Sequence, residues 1–118
     1  MITEQFAEKF RETVEAGDLD KIVQEYFSPN FESIEPAFTP FPHTKGLSQL
    51  KEKWEVFRGN IKEMHSRKVS KELVVQGDKI ALGMSFEYTN PVDKRIQQDE
   101  IILYKVKDGK IISEQFFY

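Results

Sequence analysis

Apolar side chains recur at helical spacing through the first half of this chain and at alternate positions through the second. Ile2, Phe6, Phe10 and Val14 repeat every four residues and form the inner stripe of a helix over 2–16. Gly17 stops that helix, and Asp18 can cap the next by accepting a backbone N–H. The second helix runs to about Phe27 with Leu19, Ile22, Val23, Tyr26 and Phe27 inward, and Ser28-Pro29 ends it. Phe31 to Glu35 reads as a short strand. Pro36, Pro40 and Pro42 then remove three backbone donors, so 36–42 cannot be a central strand. This stiff loop exposes Phe38 and Phe41, and it suits a core edge, a pocket rim or a dimer contact. Gly46 precedes a third helix marked by Leu47, Leu50, Trp54 and Phe57, which Gly59-Asn60 terminates.

From Ile61 onward the period is two. Gly77-Asp78, Asn90-Pro91 and Asp108-Gly109 divide this half into strands over 61–76, 79–89, 95–107 and 110–118. Consecutive hairpins predict an antiparallel sheet. Helices followed by a meander make an α+β fold, a single domain over 1–118. Strands this long must curl into a cone to cover three helices, and the open end of the cone is a natural pocket.

Strand parity divides the inner face from the outer one. Ile80, Leu82, Met84, Phe86 and Tyr88 share a face that must be the core side. Ile96, Gln98, Glu100, Ile102, Tyr104 and Val106 align on the next strand, and Ile112, Glu114, Phe116 and Tyr118 on the last, with Ile111 and Phe117 out of phase. On the strand after the third helix, Ile61, His65, Val69, Leu73 and Val75 align if no bulge intervenes. His65, Gln98, Glu100 and Glu114 thus fall on mostly apolar inner faces. A closed core would penalise such groups heavily, whereas a cavity reached by water or ligand accommodates them.

Composition narrows the chemistry. Ten of the fifteen aromatics are Phe, enough to wall a pocket, and there is no cysteine. Thiolate catalysis and disulfides are therefore excluded, and a cytoplasmic location is expected. No apolar run is long enough to span a membrane, and the start has no signal-peptide pattern. Residues 1–36 carry nine acids and three bases, whereas 45–71 carry eight bases and three acids. The basic stretch has no aromatic interleaving and the net charge is −3, so it reads as a solvated face and no nucleic-acid partner is expected. The two histidines lie on different elements and no helical ligand pair exists, so no metal and no cofactor are expected.

The run Val14-Glu15-Ala16-Gly17-Asp18-Leu19-Asp20-Lys21-Ile22, with Phe31-Glu32-Ser33-Ile34-Glu35-Pro36, resembles the amino-terminal half of ketosteroid isomerases. Asp108-Gly109-Lys110-Ile111 is similar to a turn common in SnoaL-like proteins. The resemblance spans nearly the whole chain and implies the cone fold of the nuclear-transport-factor-2 (NTF2-like, cystatin-like) and SnoaL-like superfamily. It also implies a role for Glu35, which falls where those isomerases keep their general-base carboxylate, here longer by one methylene. Their oxyanion-hole pair does not carry over: the first-helix tyrosine falls at Phe10, and the strand acid at or beside Ile102. Loss of such a donor typically costs about 10²–10³ in rate. A steroid isomerase using that hole is therefore disfavoured.

Two functional classes follow. One is cofactor-independent proton transfer on an apolar carbonyl compound (isomerase, cyclase or dehydratase), with Glu35 as base and His65 or Glu100 assisting. The other is a non-catalytic module that holds a small ligand or serves dimerisation. In either case the expected lining includes Trp54, Met84, Phe86, Tyr88, Gln98, Tyr104, Glu114 and Phe116, and the partner is a small apolar molecule. His43, in the Pro-rich loop, is expected to be solvent-exposed. The half-polar outer face of Ser85, Glu87, Ile101, Leu103 and Phe117 suits a homodimer.

Overall fold

A computed structural model of the chain describes residues 2–118. Helix α1 spans Glu4–Ala16 and α2 spans Leu19–Glu25. Thr3 caps α1 by accepting from the Phe6 amide at 3.0 Å, which sets its start just inside the expected one. Gly17 takes the left-handed conformation that ends α1 (φ 72°), and Asp18 caps α2 through the Lys21 amide. Strand β1, Phe27–Ile34, begins earlier than the pattern suggested and takes Phe27 from the expected helix. Pro29 is accommodated because the pairing of β1 slips between Phe27 and Glu32, where no ladder donor is required.

The three-residue strand β2, His43–Lys45, pairs with β1 and leads into α3, Gly46–Gly59. The strand expected over 61–76 is two strands, β3 (Glu63–Val69) and β4 (Val74–Gln76). Both pair with β5, Lys79–Thr89. Between them, the Ser70 hydroxyl accepts from the Gly83 amide at 3.0 Å and replaces a ladder bond, so the chain can step along β5. Strands β6, Arg95–Lys107, and β7, Lys110–Phe117, complete the hairpins.

The sheet order is β2-β1-β7-β6-β5-β3, with β4 beside β5. The expected α+β curl on three helices is present, but the sheet is mixed. Strand β1 runs parallel to β7 because α3 and the whole meander separate them in the chain. The end strands do not meet, so the curl stays open.

Phe10, Phe31, Leu50, Ile80, Ile102 and Ile111 are fully buried between helices and sheet. Burial of a side chain of this size contributes about 1.5–3 kcal/mol. Phe10 meets Tyr104 edge-on at 4.8 Å, and Phe27 stacks on Phe31 at 4.0 Å. Ile111, not Ile112, joins this core, because the β6–β7 register shifts between Lys105 and Val106. Among the described residues, no helix is long and apolar enough to cross a membrane.

Candidate functional site: a polar-floored cavity in the sheet

Cross-strand register builds the concave face in rows. Arg67 pairs with Phe86, and Phe86 with Gln98; Val69 pairs with Met84, and Met84 with Glu100. Further round the sheet, Tyr104 pairs with Glu114, and Glu114 with Ser33. Residues paired this way point to one side of a sheet, so apolar and ionisable groups share a wall. Helix α3 lies across this face. The two surfaces enclose a cavity of about 410 Å³.

One part of the cavity is apolar, with Trp54 and Phe57 from α3 opposite Met84, Phe86 and Tyr88 from β5. Phe57 meets the rings of Phe86 and Tyr88 edge-on at 5.7 and 6.3 Å. The other part is polar. Lys53 reaches from α3 to Glu35 Oε2 at 2.8 Å, with both side chains nearly buried (10 % and 12 % exposed). The same ammonium donates to Ser33 Oγ at 2.8 Å and stands 4.7 Å from the centre of the Phe116 ring. Ser33 Oγ donates onward to Glu114 Oε2 at 2.8 Å. Tyr118 donates to the other Glu35 oxygen at 2.9 Å. Every acceptor in this chain of contacts has a donor, which is what allows ionisable groups to be buried together.

Glu100 is placed differently. It lines the cavity and is nearly buried, and its one hydrogen bond comes from the Gln98 amide at 2.9 Å. Burial pushes its carboxyl up to about 7, the Gln98 bond and Lys53 oppose the rise, and the negative charges of Glu35 and Glu114 add to it. Burial likewise pushes Glu114 up to about 7 against Lys53 and Ser33, with Glu35 adding to the rise. Tyr118 is held well above the ordinary phenol range by burial and by its bond to Glu35, and Tyr104 by full burial. The chemical consequence is a carboxyl open to the cavity that can gain or lose a proton near neutral pH.

Of the residues singled out from sequence, Glu35, Trp54, Met84, Phe86, Tyr88, Gln98, Glu100 and Phe116 line this cavity. Tyr104 and Glu114 are buried on the same face but do not line it. His65 is not brought to the site. It sits where the β3–β5 register slips between Met64 and Ser66, and this bulge turns it to the outer face. There it is exposed, with Nε2 2.6 Å from Thr89 Oγ1. His43 is also exposed.

Sequence reasoning missed Lys53, Arg67, Ser33 and Tyr118 as site residues. Lys53 carried a signal: it lies three residues after Leu50 and four before Phe57, so a charge falls on the apolar stripe of α3. Phe10 and Ile102, the positions aligned with an oxyanion hole, are hydrocarbon with no exposed surface. A second, more open hollow of about 510 Å³ involves the outer face around Lys68, Ser85, Asp99, Ile101 and Phe117. The paired buried groups face the inner cavity, which places the candidate chemistry there.

The family model for the SnoaL-like domain matches residues 1–118. A Mesorhizobium loti protein described provisionally as a SnoaL-like polyketide cyclase has 31 % identity, a TM-score of 0.89 and full coverage of both chains (100 % of each). A similarly described Jannaschia protein has 15 % identity and a TM-score of 0.79, covering 97 % of this chain and 85 % of its own. TerC, co-crystallised with polyporic acid, has 15 % identity and a TM-score of 0.75, covering 97 % and 88 % respectively. No curated protein matches this sequence.

Proposed function

Because the chain belongs to the SnoaL-like domain family, we propose that its inner cavity binds a small, largely apolar carbonyl compound and that Glu100 exchanges a proton with it. The reading is supported by one carboxyl, Glu100, that lines the cavity and that burial pushes up to about 7. A general acid or base works best when its proton affinity matches the working pH, because it is then present in the needed form and still drives transfer.

Glu35 has a supporting part in this reading. Lys53 and Tyr118 occupy both of its oxygens, so it is fixed as one half of an ion pair. Its negative charge helps keep a proton on Glu100. A carbonyl compound would lay its hydrocarbon against Trp54, Phe57 and Phe86 and present the carbon next to its carbonyl to Glu100. Removing a proton there gives an enolate. Its return at another carbon, or attack of that carbon on a second carbonyl, gives an isomerase or a cyclase.

Thermal-shift screening of aromatic and alicyclic ketones, followed by mass spectrometry of each stabilising compound, tests the reading. At least one compound should be converted. Glu100→Gln should slow that conversion about a hundredfold while the compound still binds. Unimpaired turnover in Glu100→Gln removes Glu100 from the reaction, and recovery of every bound compound unchanged favours a binding module.

A further inference from the structure

Three cations line the cavity, Lys53, Arg58 and Arg67, and they are not equivalent: Arg58 is solvent-exposed, the other two are not. Lys53 is consumed by Glu35, Ser33 and the Phe116 ring. Arg67 also lines the cavity, yet no carboxylate is paired with it among the described residues. Its Nε and Nη2 both donate to the Val14 carbonyl, at 3.3 and 3.2 Å. A guanidinium has five N–H donors, so both hydrogens on Nη1 and one on Nη2 remain. That remaining edge is a two-pronged fork of the shape that grips a carboxylate.

The anchoring contact fixes the fork in place without explaining its presence. The Val14 carbonyl already accepts from the Gly17 amide at 3.0 Å, so that carbonyl is satisfied without an arginine. Gly17 leaves room for the guanidinium, since even a Cβ there would stand 3.5 Å from Arg67 Nε. A cation is also favoured at the C-terminus of a helix. Arg67 shares a cross-strand row with Phe86 and Gln98, both on the cavity wall. An anion held by the fork would therefore have aromatic surface beside it and Glu100 on the neighbouring row.

We infer that the cavity takes a ligand bearing a carboxylate as well as an apolar body, and that Arg67 grips that carboxylate. This rests on the cavity being a ligand site, and it narrows the ligand to an organic acid such as a keto acid. Burial lowers the Arg67 guanidinium below its ordinary range, with Tyr104 and Glu100 opposing, and an anionic ligand would oppose that fall in the same way.

Isothermal titration with 2-naphthoate and its neutral isostere 2-naphthamide at pH 6 tests the inference. The acid should bind at least about tenfold more tightly than the amide. Arg67→Gln should abolish that preference, and Arg67→Lys should retain part of it. Equal affinity of the wild-type protein for the two probes overturns the inference yet leaves the cavity reading standing. A preference that survives in Arg67→Gln also overturns it. Binding of neither probe overturns the inference, and the ketone screen decides the cavity reading independently. If Arg67→Gln does not fold, the wild-type comparison still decides.

Discussion

Lys53→Met is expected to lower folding stability by about 3–5 kcal/mol at pH 7, the usual cost of leaving one half of a buried pair without its partner. Urea denaturation reads it directly. Lys53 is only 10 % exposed and makes three contacts at once, to Glu35, Ser33 and the Phe116 ring. Methionine keeps much of the hydrocarbon and removes the charge. Glu35 is then left nearly buried with only the Tyr118 hydroxyl on one oxygen, and Ser33 and Glu114 lose the ammonium behind them. Adding Glu35→Gln should restore part of the loss, because it removes the uncompensated carboxylate. A cost below about 1 kcal/mol, as for surface pairs, would mean that water reaches the pair freely.

Stability should also fall as pH rises from about 5 to 8, the opposite of what most carboxylate-rich domains do. Glu100 and Glu114 are each pushed from an ordinary 4.5 up to about 7 by burial. Between those values the folded protein holds protons that the unfolded chain has released, so raising the pH favours unfolding. The contribution is fully present below about 4.5 and is lost as pH passes through about 7. Each carboxyl is worth about 3 kcal/mol by this linkage. Asp78 and Glu87 act in the other direction. Hydrogen bonds from Lys79 and Arg95 hold them below the ordinary carboxylate range, so their contribution is lost only as the solution becomes strongly acidic. Maximum stability is thus expected near pH 5. Denaturation midpoints at pH 5, 6.5 and 8 test this. A flat profile, or one that rises, would show that the two carboxyls are hydrated.

The helical stripes and the two-residue alternation located the fold well because each reports on one element at a time. Ile80 through Tyr88 alternate without interruption, and that strand is buried as its parity requires. Departures arose wherever two elements negotiate. Nothing local marks the parallel pairing of β1 with β7, strands that α3 and the whole meander separate in the chain. Nor does the sequence mark the slip between Met64 and Ser66. That one extra residue sends His65 outward and brings Met64 inward, while Arg67, beyond the slip, keeps the face of Val69 two residues on.

The site was partly legible for the same reason. Glu100, Gln98 and Glu114 stand out as polar residues on apolar strands and need no partner to be noticed. Lys53, Ser33 and Tyr118 acquire their meaning only from Glu35 and Glu114, which lie on other elements. A charge on the apolar stripe of α3 was a visible conflict between pattern and residue, and such conflicts tend to mark functional positions.

Proton exchange in the cavity requires a carboxyl there that changes protonation near neutrality. Carbon-13 NMR titration of the glutamate side-chain carboxyls, assigned with Glu100→Gln and Glu114→Gln, measures that property directly. The Glu100 signal should titrate with a midpoint near 7. A midpoint at the ordinary 4.5 would mean a solvated carboxylate and would contradict proton exchange there.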